Sequence, residues 1–402
     1  MPDNSIEIRG AVKTRLGEIA RLFLKLGATA FGGPAAHIAM MEDEVVTRRR
    51  WLSHEEFMDL LGATNLIPGP NSTEMAIHIG HRQAGMRGLL TAGICFIVPA
   101  MLIVGILSWA YVRFGRLPQA EGILYGVKPV VLAIILQAVW RLGRSALKTG
   151  LLIAVGLIAA ALSFVGVNEL VVLFGTGIVI AVLHLIVSGK PAGIAAFIPG
   201  LWGDFPATAT TATASAAAAA PFGLWPMFWY FVKIGSVLFG SGYVLLVFLR
   251  ADLVDHLHWL TEGQLLDAVA IGQITPGPVF TTATFIGYVL AGVPGATLAT
   301  GGIFLPAFIF VAISGPLVPR LRRSPAAGAF LDGVNAASLA LMAVVMVQLA
   351  RAAFVDCATI AIGIAAAVLL LRYKLNTTWL ILGSMAVGML VHFMHLDELL
   401  RI

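Results

Sequence analysis

Charge is scarce in this sequence. Only 12% of its 402 residues are Asp, Glu, Lys or Arg, against 59% hydrophobic. A soluble domain is not built with so little polar surface, which leaves a polytopic all-α membrane protein. Strand alternation is also missing, and that excludes a membrane barrel. Cysteine is limited to Cys95 and Cys357, both in apolar runs, so neither a disulfide framework nor a CxxC metal site is expected. There is no Gly-x-x-x-x-Gly-Lys-[Ser/Thr] loop to bind a nucleotide and no Rossmann fingerprint. Residues 1–18 are polar, lack the apolar core of a cleaved signal and read as a cytoplasmic lead-in helix. The net charge of +5 collects in clusters such as Arg48-Arg49-Arg50 and Arg141, Arg144, Lys148. Basic residues in short loops set membrane orientation, so this basicity is read as topology and no nucleic-acid partner is expected.

What is present is a duplicated break. Asn65-Leu66-Ile67-Pro68-Gly69-Pro70-Asn71-Ser72-Thr73-Glu74 recurs as Gln273-Ile274-Thr275-Pro276-Gly277-Pro278-Val279-Phe280-Thr281-Thr282. Proline removes a backbone donor and drives its predecessor out of the helical region, so one helix ends near Asn65 and another starts near Asn71. Residues 268–319 carry no charged side chain, far more than the ~20 residues that span a bilayer. The second break therefore lies near membrane depth, where irregular backbone is tolerated only under protein or beside a water-filled cavity.

Along the chain, 23–41 is apolar but broken at Gly32-Gly33-Pro34, with Lys25 in its first turns. An amphipathic stretch, 52–65, follows a charged loop and leads into the first Pro-Gly-Pro. A short helix over 71–82 and spans over 88–112, 122–139, 149–168 and 170–188 complete the unit; Lys128 falls near the start of its span. The same order then restarts. Lys25 matches Lys233 (233 − 25 = 208), Trp51 matches Trp259, Asp59 matches Asp267, and Gly126 matches Gly333 at an offset of 207 after one deletion. The chain thus reads as two homologous repeats, 1–190 and 227–402, joined by an Ala/Thr-rich linker over 191–226. Transporters built on repeats place their site where interrupted helices of both halves meet. The basic bias changes side between the halves, with Arg320, Arg322, Arg323, Arg372 and Lys374 outweighing Arg250, Arg351 and Arg401, so inverted orientation is expected.

Phe31-Gly32-Gly33-Pro34, Trp51-Leu52 after a basic loop, and both Pro-Gly-Pro turns together resemble the chromate ion transporter family in its long, two-domain form. The resemblance covers nearly the whole chain. It implies a multi-pass carrier in the bacterial inner membrane, with antiparallel halves, that exports chromate and confers resistance to it. One departure is that Gly240-Ser241-Gly242 stands where the first copy has Gly32-Gly33-Pro34, so the halves are not interchangeable. Sulfate, similar in size and charge, remains an alternative substrate; an anion channel is another reading. A membrane-embedded enzyme would need a cofactor site or nucleophile–base pair, neither of which is visible, and no cofactor is expected.

The candidate binding residues are those of the breaks. A helix starting after Pro68-Gly69-Pro70 offers free amides and about half a positive charge to an anion. Asn65, Asn71, Ser72 and Thr73 surround it, and Gln273, Pro276, Gly277, Pro278, Thr281 and Thr282 repeat the arrangement. The bland reading is capping, since Asn71-x-x-Glu74 has the form of a capping box. Gly32 and Gly33, with Gly240 and Ser241, mark the other breaks. Lys25 and Lys233 could face an oxyanion or reach the headgroups from a helix end. Asp59, Glu74 and Asp267 are proton-coupling candidates, although the two aspartates could simply pair with basic residues. Glu74, His78 and His81 share a helical face, but the second copy has Thr282 and Ile286 there, so no metal site is expected. The expected partners are a chromate- or sulfate-like oxyanion, the lipid bilayer and, in a homodimer, a second copy.

Overall fold

The structure is a computed structural model and describes residues 16–115, 117–188, 222–239, 242–322, 324–373 and 375–394. Its elements are helical. α1 (Leu16–Thr29) stops where Gly32 and Gly33 take φ of 101° and 77°, a backbone glycine adopts freely. α2 (Gly33–Glu42) resumes with Pro34 in its first turn and ends in a π-helical segment, Asp43–Arg48. α3 (His54–Thr64) starts on a capping box between Ser53 and Glu56 and ends at Asn65, before the first Pro-Gly-Pro.

The run α4 (Asn71–Phe114) is two helices. Ala84 and Gly85 leave the helical region, Gly85 at φ 60°, and Gly80 backs onto Gly88 and Ala92. In one straight helix Gly80 and Ala92 would lie about 18 Å apart, so the chain reverses here into a tight hairpin, 71–83 against 86–114. α5 (Pro118–Ala146), α6 (Gly150–Phe164) and α7 (Glu169–Val187) complete the first repeat.

The second repeat follows the same plan. α8 (Leu224–Val237) leads to α9 (Leu245–Phe248) and a π segment, Leu249–His256. α10 (Glu262–Ile274) starts on a capping box, Thr261 with Gln264. α11 (Thr282–Arg322) reverses at Ala291–Gly292, where Gly287 backs onto Gly295. α12 (Pro325–Ala353), α13 (Cys357–Arg372) and α14 (Thr377–Phe393) end it. Five segments among the described residues are long and apolar enough to cross a membrane, including 120–146 and 325–353, and three shorter apolar helices accompany them. The expected linker lies outside the described residues as far as 221, and α8 already begins inside its expected range.

The repeats are inverted. Glu121, Leu124 and Lys128 in the first half of α5 share a cavity with Ala352 and Ala353 at the end of α12, whereas Gly143 near the end of α5 meets Leu339 in the middle of α12. These equivalent helices therefore run antiparallel. The terminal helix pairs are exchanged between repeats: α6 and α7 pack on α12, and α13 and α14 pack on α5. Glycines permit this approach. Gly126 lies against the backbone of Ser384 and Gly388, and its equivalent Gly333 against Thr176 and Gly177. The main core of buried aliphatic and aromatic residues draws on both repeats, from Val130 and Ile134 to Leu341 and Val345.

Candidate functional site

Each Pro-Gly-Pro turn is tied to the other repeat. Proline has no N–H, so the central glycine carries the only amide of the tripeptide. The Gly69 amide donates to the Leu238 carbonyl at 2.8 Å, and the Gly277 amide to the Ala30 carbonyl at 2.9 Å. Leu238 and Ala30 end α8 and α1, where carbonyls lack an intrahelical donor. The breaks are thus tied in two pairs, each joining one repeat to the other. Glycine is required at both turns. Gly69 has φ 142° and a side chain there would strike the Glu74 carboxyl; Gly277 has φ 85° and lies against Ala100 and the Gly27 carbonyl.

A cavity of about 710 Å³ opens onto this junction, a size suited to a small ligand with its water. Gly32 and Pro34 line it from the first break, Asn65, Pro70, Asn71 and Ser72 from the first turn, Tyr243 and Val244 from the third break, and Val279 and Phe280 from the second turn. The walls come from α5 and α12. Gln137, Arg141, Ser145 and Lys148 face Asp332, Asn335 and Ser338 across it. Two cations against one acid leave the lining positive. The Ser338 hydroxyl is buried without a partner, as is the Nε2 of Gln273, whose Oε1 accepts from the Tyr243 hydroxyl at 3.4 Å.

The structure sorts the sequence candidates. Gly32, Asn65, Pro70, Asn71 and Ser72 line the cavity, and Gln273 sits behind Tyr243. Pro68, Gly69, Pro276, Gly277 and Pro278 form the turns, and the glycine amides are engaged across the repeats. The capping box over Asn71 and Glu74 is not formed: Pro70 is the N-cap, and the Asn71 side-chain Nδ2 donates to Asn65 Oδ1 at 2.9 Å. Thr281 and Thr282 donate to the Pro278 and Val279 carbonyls, so their hydroxyl protons are spent within the turn, while the buried Thr73 hydroxyl has no partner. Lys25 bonds Glu44 at 2.7 Å and Lys233 bonds Asp252 at 3.3 Å, the same pairing in both repeats, and neither lysine lines the cavity. Lys25 beside it holds the Glu44 carboxyl below its ordinary range. Gly33 shapes the first break; Gly240 and Ser241 lie outside the described residues. Asp59 is exposed on α3. Glu74 is fully buried, with neither carboxylate oxygen bonded, and His78 one turn later is also buried with its Nε2 unpaired.

The model of the chromate transporter family matches residues 17–182 and 225–389, one segment for each repeat. The chain belongs to the chromate transporter family. The chromate transport protein of Cupriavidus metallidurans is 32% identical over 389 residues, 94% of this chain and 93% of that protein. One of the same description from Pseudomonas aeruginosa is 34% identical, covering 92% and 91%. An uncharacterised transporter of Methanocaldococcus jannaschii is 26% identical over 92% of each chain. No solved structure matches.

Membership of the chromate transporter family makes this a multi-pass membrane transporter and not an enzyme. Several cavity residues carry little signal in the sequence. Arg141 reads there as an orientation charge; its recurrence with Arg144 and Lys148 at spacings of three and four, one helical face, is the signal that marks it. Tyr243, Gln137 and Ser338 gave none, being single polar residues in apolar runs. Lys128, expected near the start of its span, lies ten residues into α5, about 15 Å from the helix start.

Proposed function

We propose that this chain carries chromate, a tetrahedral dianion, out of the cell through the cavity between its inverted repeats. The observation that carries this reading is one positively lined cavity bordered by Pro70 of the first Pro-Gly-Pro turn and by Val279 and Phe280, which follow the second. The leading amides of the helix at Asn71 and Ser72 precede any intrahelical bond and suit an anion. Ser72, Tyr243, Ser338 and Asn65 supply polar groups around them, and Arg141 supplies charge. Arg141 and Lys148 at this mouth support a cytoplasmic position for it, since basic residues concentrate on that side. A dianion leaving an inside-negative cell gains about 4.6 kcal/mol per 100 mV, twice the single-charge value. No nucleotide is then needed.

Glu74 is the proton-coupling candidate, because it is packed beneath the Gly69 turn that borders the anion site. A carboxyl buried without partners is far cheaper to hold neutral than ionised.

Proteoliposomes loaded with labelled chromate, with an imposed potential and pH gradient, test the reading. Efflux is expected to rise with inside-negative potential, and Arg141→Gln to raise the half-saturating concentration roughly tenfold, as for a lost charged hydrogen bond. Glu74→Gln, of the same shape, is expected to fold and to remove any pH-gradient dependence. Flux indifferent to both potential and pH gradient overturns the mechanism. Competition by sulfate measures selectivity for chromate over sulfate.

A further inference from the structure

A second cavity, of about 320 Å³, lies at the other end of α5, lined by Tyr111, Glu121, Tyr125, Lys128, Asp267 and Thr359. The first cavity is bounded by Arg141 and Lys148 near the C-terminus of α5, and this one by Glu121 and Lys128 on its N-terminal half. The two cavities therefore lie towards opposite ends of α5, which, as a membrane-spanning helix, puts them towards opposite sides of a bilayer. Lys128 and Arg141 are separated by 13 helical residues, about 20 Å of rise.

At the second cavity Asp267 is 3% exposed and holds Lys128 at 3.3 Å, while the Tyr111 hydroxyl donates to its other oxygen at 2.9 Å. The Asp267 oxygen facing the lysine makes no hydrogen bond, so the ion pair is a loose one. Gly263 lies within 3.7 Å of the ammonium, measured from where its side chain would start, and leaves room around it. A lysine this deep is usually functional, and a buried pair without full hydrogen bonding gains little from its own attraction. The repeat shows what is special here. At offsets of 207 and 208, Lys128, Asp267 and Tyr111 correspond to Asn335, Asp59 and Val318. The first cavity's mouth therefore has no cation and no phenol at the matching positions, and Asp59 there is exposed.

Resting on the reading of this chain as an oxyanion carrier, we propose that Lys128 is a second oxyanion subsite on the opposite-facing pathway, covered here by Asp267 and Tyr111. A dianion moving from the Arg141 side offers Lys128 twice the charge of the carboxylate. It displaces Asp267, the pathway opens, and Asp267 takes Lys128 back once the anion has left.

The test uses the full chain in proteoliposomes of uniform orientation, with half-saturating chromate measured separately from each face. Lys128→Gln is expected to raise that concentration on the Lys128 face on the order of tenfold, the loss of one charged hydrogen bond, and to change the Arg141 face less than about twofold. Asp267→Asn is expected to lower it several-fold on the Lys128 face alone. Tyr111→Phe keeps both charges and serves if either variant fails to fold; it is expected to lower the value on that face about threefold. Equal shifts on both faces, or none in Tyr111→Phe, make the trio a structural clasp and overturn the proposal. If the unaltered protein saturates with chromate from neither face, it is the transport reading that fails.

Discussion

Gly69 joins backbone, packing and chemistry in one position. Its φ of 142° is open to glycine, its amide crosses to Leu238, and its missing side chain leaves space for the Glu74 carboxyl. Gly69→Ala meets strain and collision together, at a cost of about 1–3 kcal/mol for the backbone alone. A lower melting temperature in detergent and lost transport are expected; an unchanged melt contradicts the tight turn. Glu56 tests electrostatics at the same scale. Its carboxyl accepts from the Ser53 amide at 3.0 Å and pairs with Arg82 at 2.9 Å, and these hold it below its ordinary range, the Ser53 bond foremost. A carboxyl depressed in the fold stabilises it above the unfolded value of about 4.3 and loses that stability as pH falls through the folded value. The group is partly exposed, so its share is ~1 kcal/mol or less. Melting curves from pH 7 to pH 3.5 are expected to fall less steeply for Glu56→Gln than for the unaltered protein.

The breaks and reversals were the most legible elements. Single prolines are tolerated inside α4 and α5, at Pro99 and Pro129, but the doubled Pro68-Gly69-Pro70 and Pro276-Gly277-Pro278 are not, and helices stop at Thr64 and Ile274 as expected. The reversal at Ala84–Gly85 was visible only as a gap between a short helix over 71–82 and a span from 88. What the pattern could not carry was pairing. Uniformly apolar helices hold little phase, so nothing in α5 announces that it meets α12 or that Lys128 meets Asp267, 139 residues away by number (267 − 128 = 139). Repetition likewise favours Lys25 and Lys233, whose equivalent partners Glu44 and Asp252 do not line the cavity, while unrepeated Arg141 does. The hairpin gives a direct check. A side chain on Gly88 would run into the Gly80 carbonyl, which cannot swing aside as a flexible side chain can. Gly88→Val is expected to lower the melting temperature and to abolish transport. Gly105→Ala in the same run meets open space and is expected to leave the melt level or raise it, by up to ~1 kcal/mol of helix propensity.

On the scale of the whole molecule, the two repeats are close in shape and different in charge. α5 carries Lys128 and Arg141 where α12 carries Asn335 and Gln348, so one cation of each pathway stands on the same helix. Duplication supplied the inverted frame, and divergence made the two mouths unequal. The exchanged helix pairs bind the halves to each other. With α6 and α7 on α12, and α13 and α14 on α5, neither repeat can cover its own long helix. The Gly69 and Gly277 amides would also lose their acceptors, each of which belongs to the other half. A buried amide left without a partner costs about 1–3 kcal/mol, and more in lipid, where water cannot take its place. Residues 1–190 and 222–402 expressed separately are therefore expected to be unstable and inactive. Expressed together from two messages, they are expected to assemble, co-purify and restore chromate flux in vesicles. If one half alone stays folded at the same melting temperature, the exchanged pairing does not hold the molecule together as these contacts require.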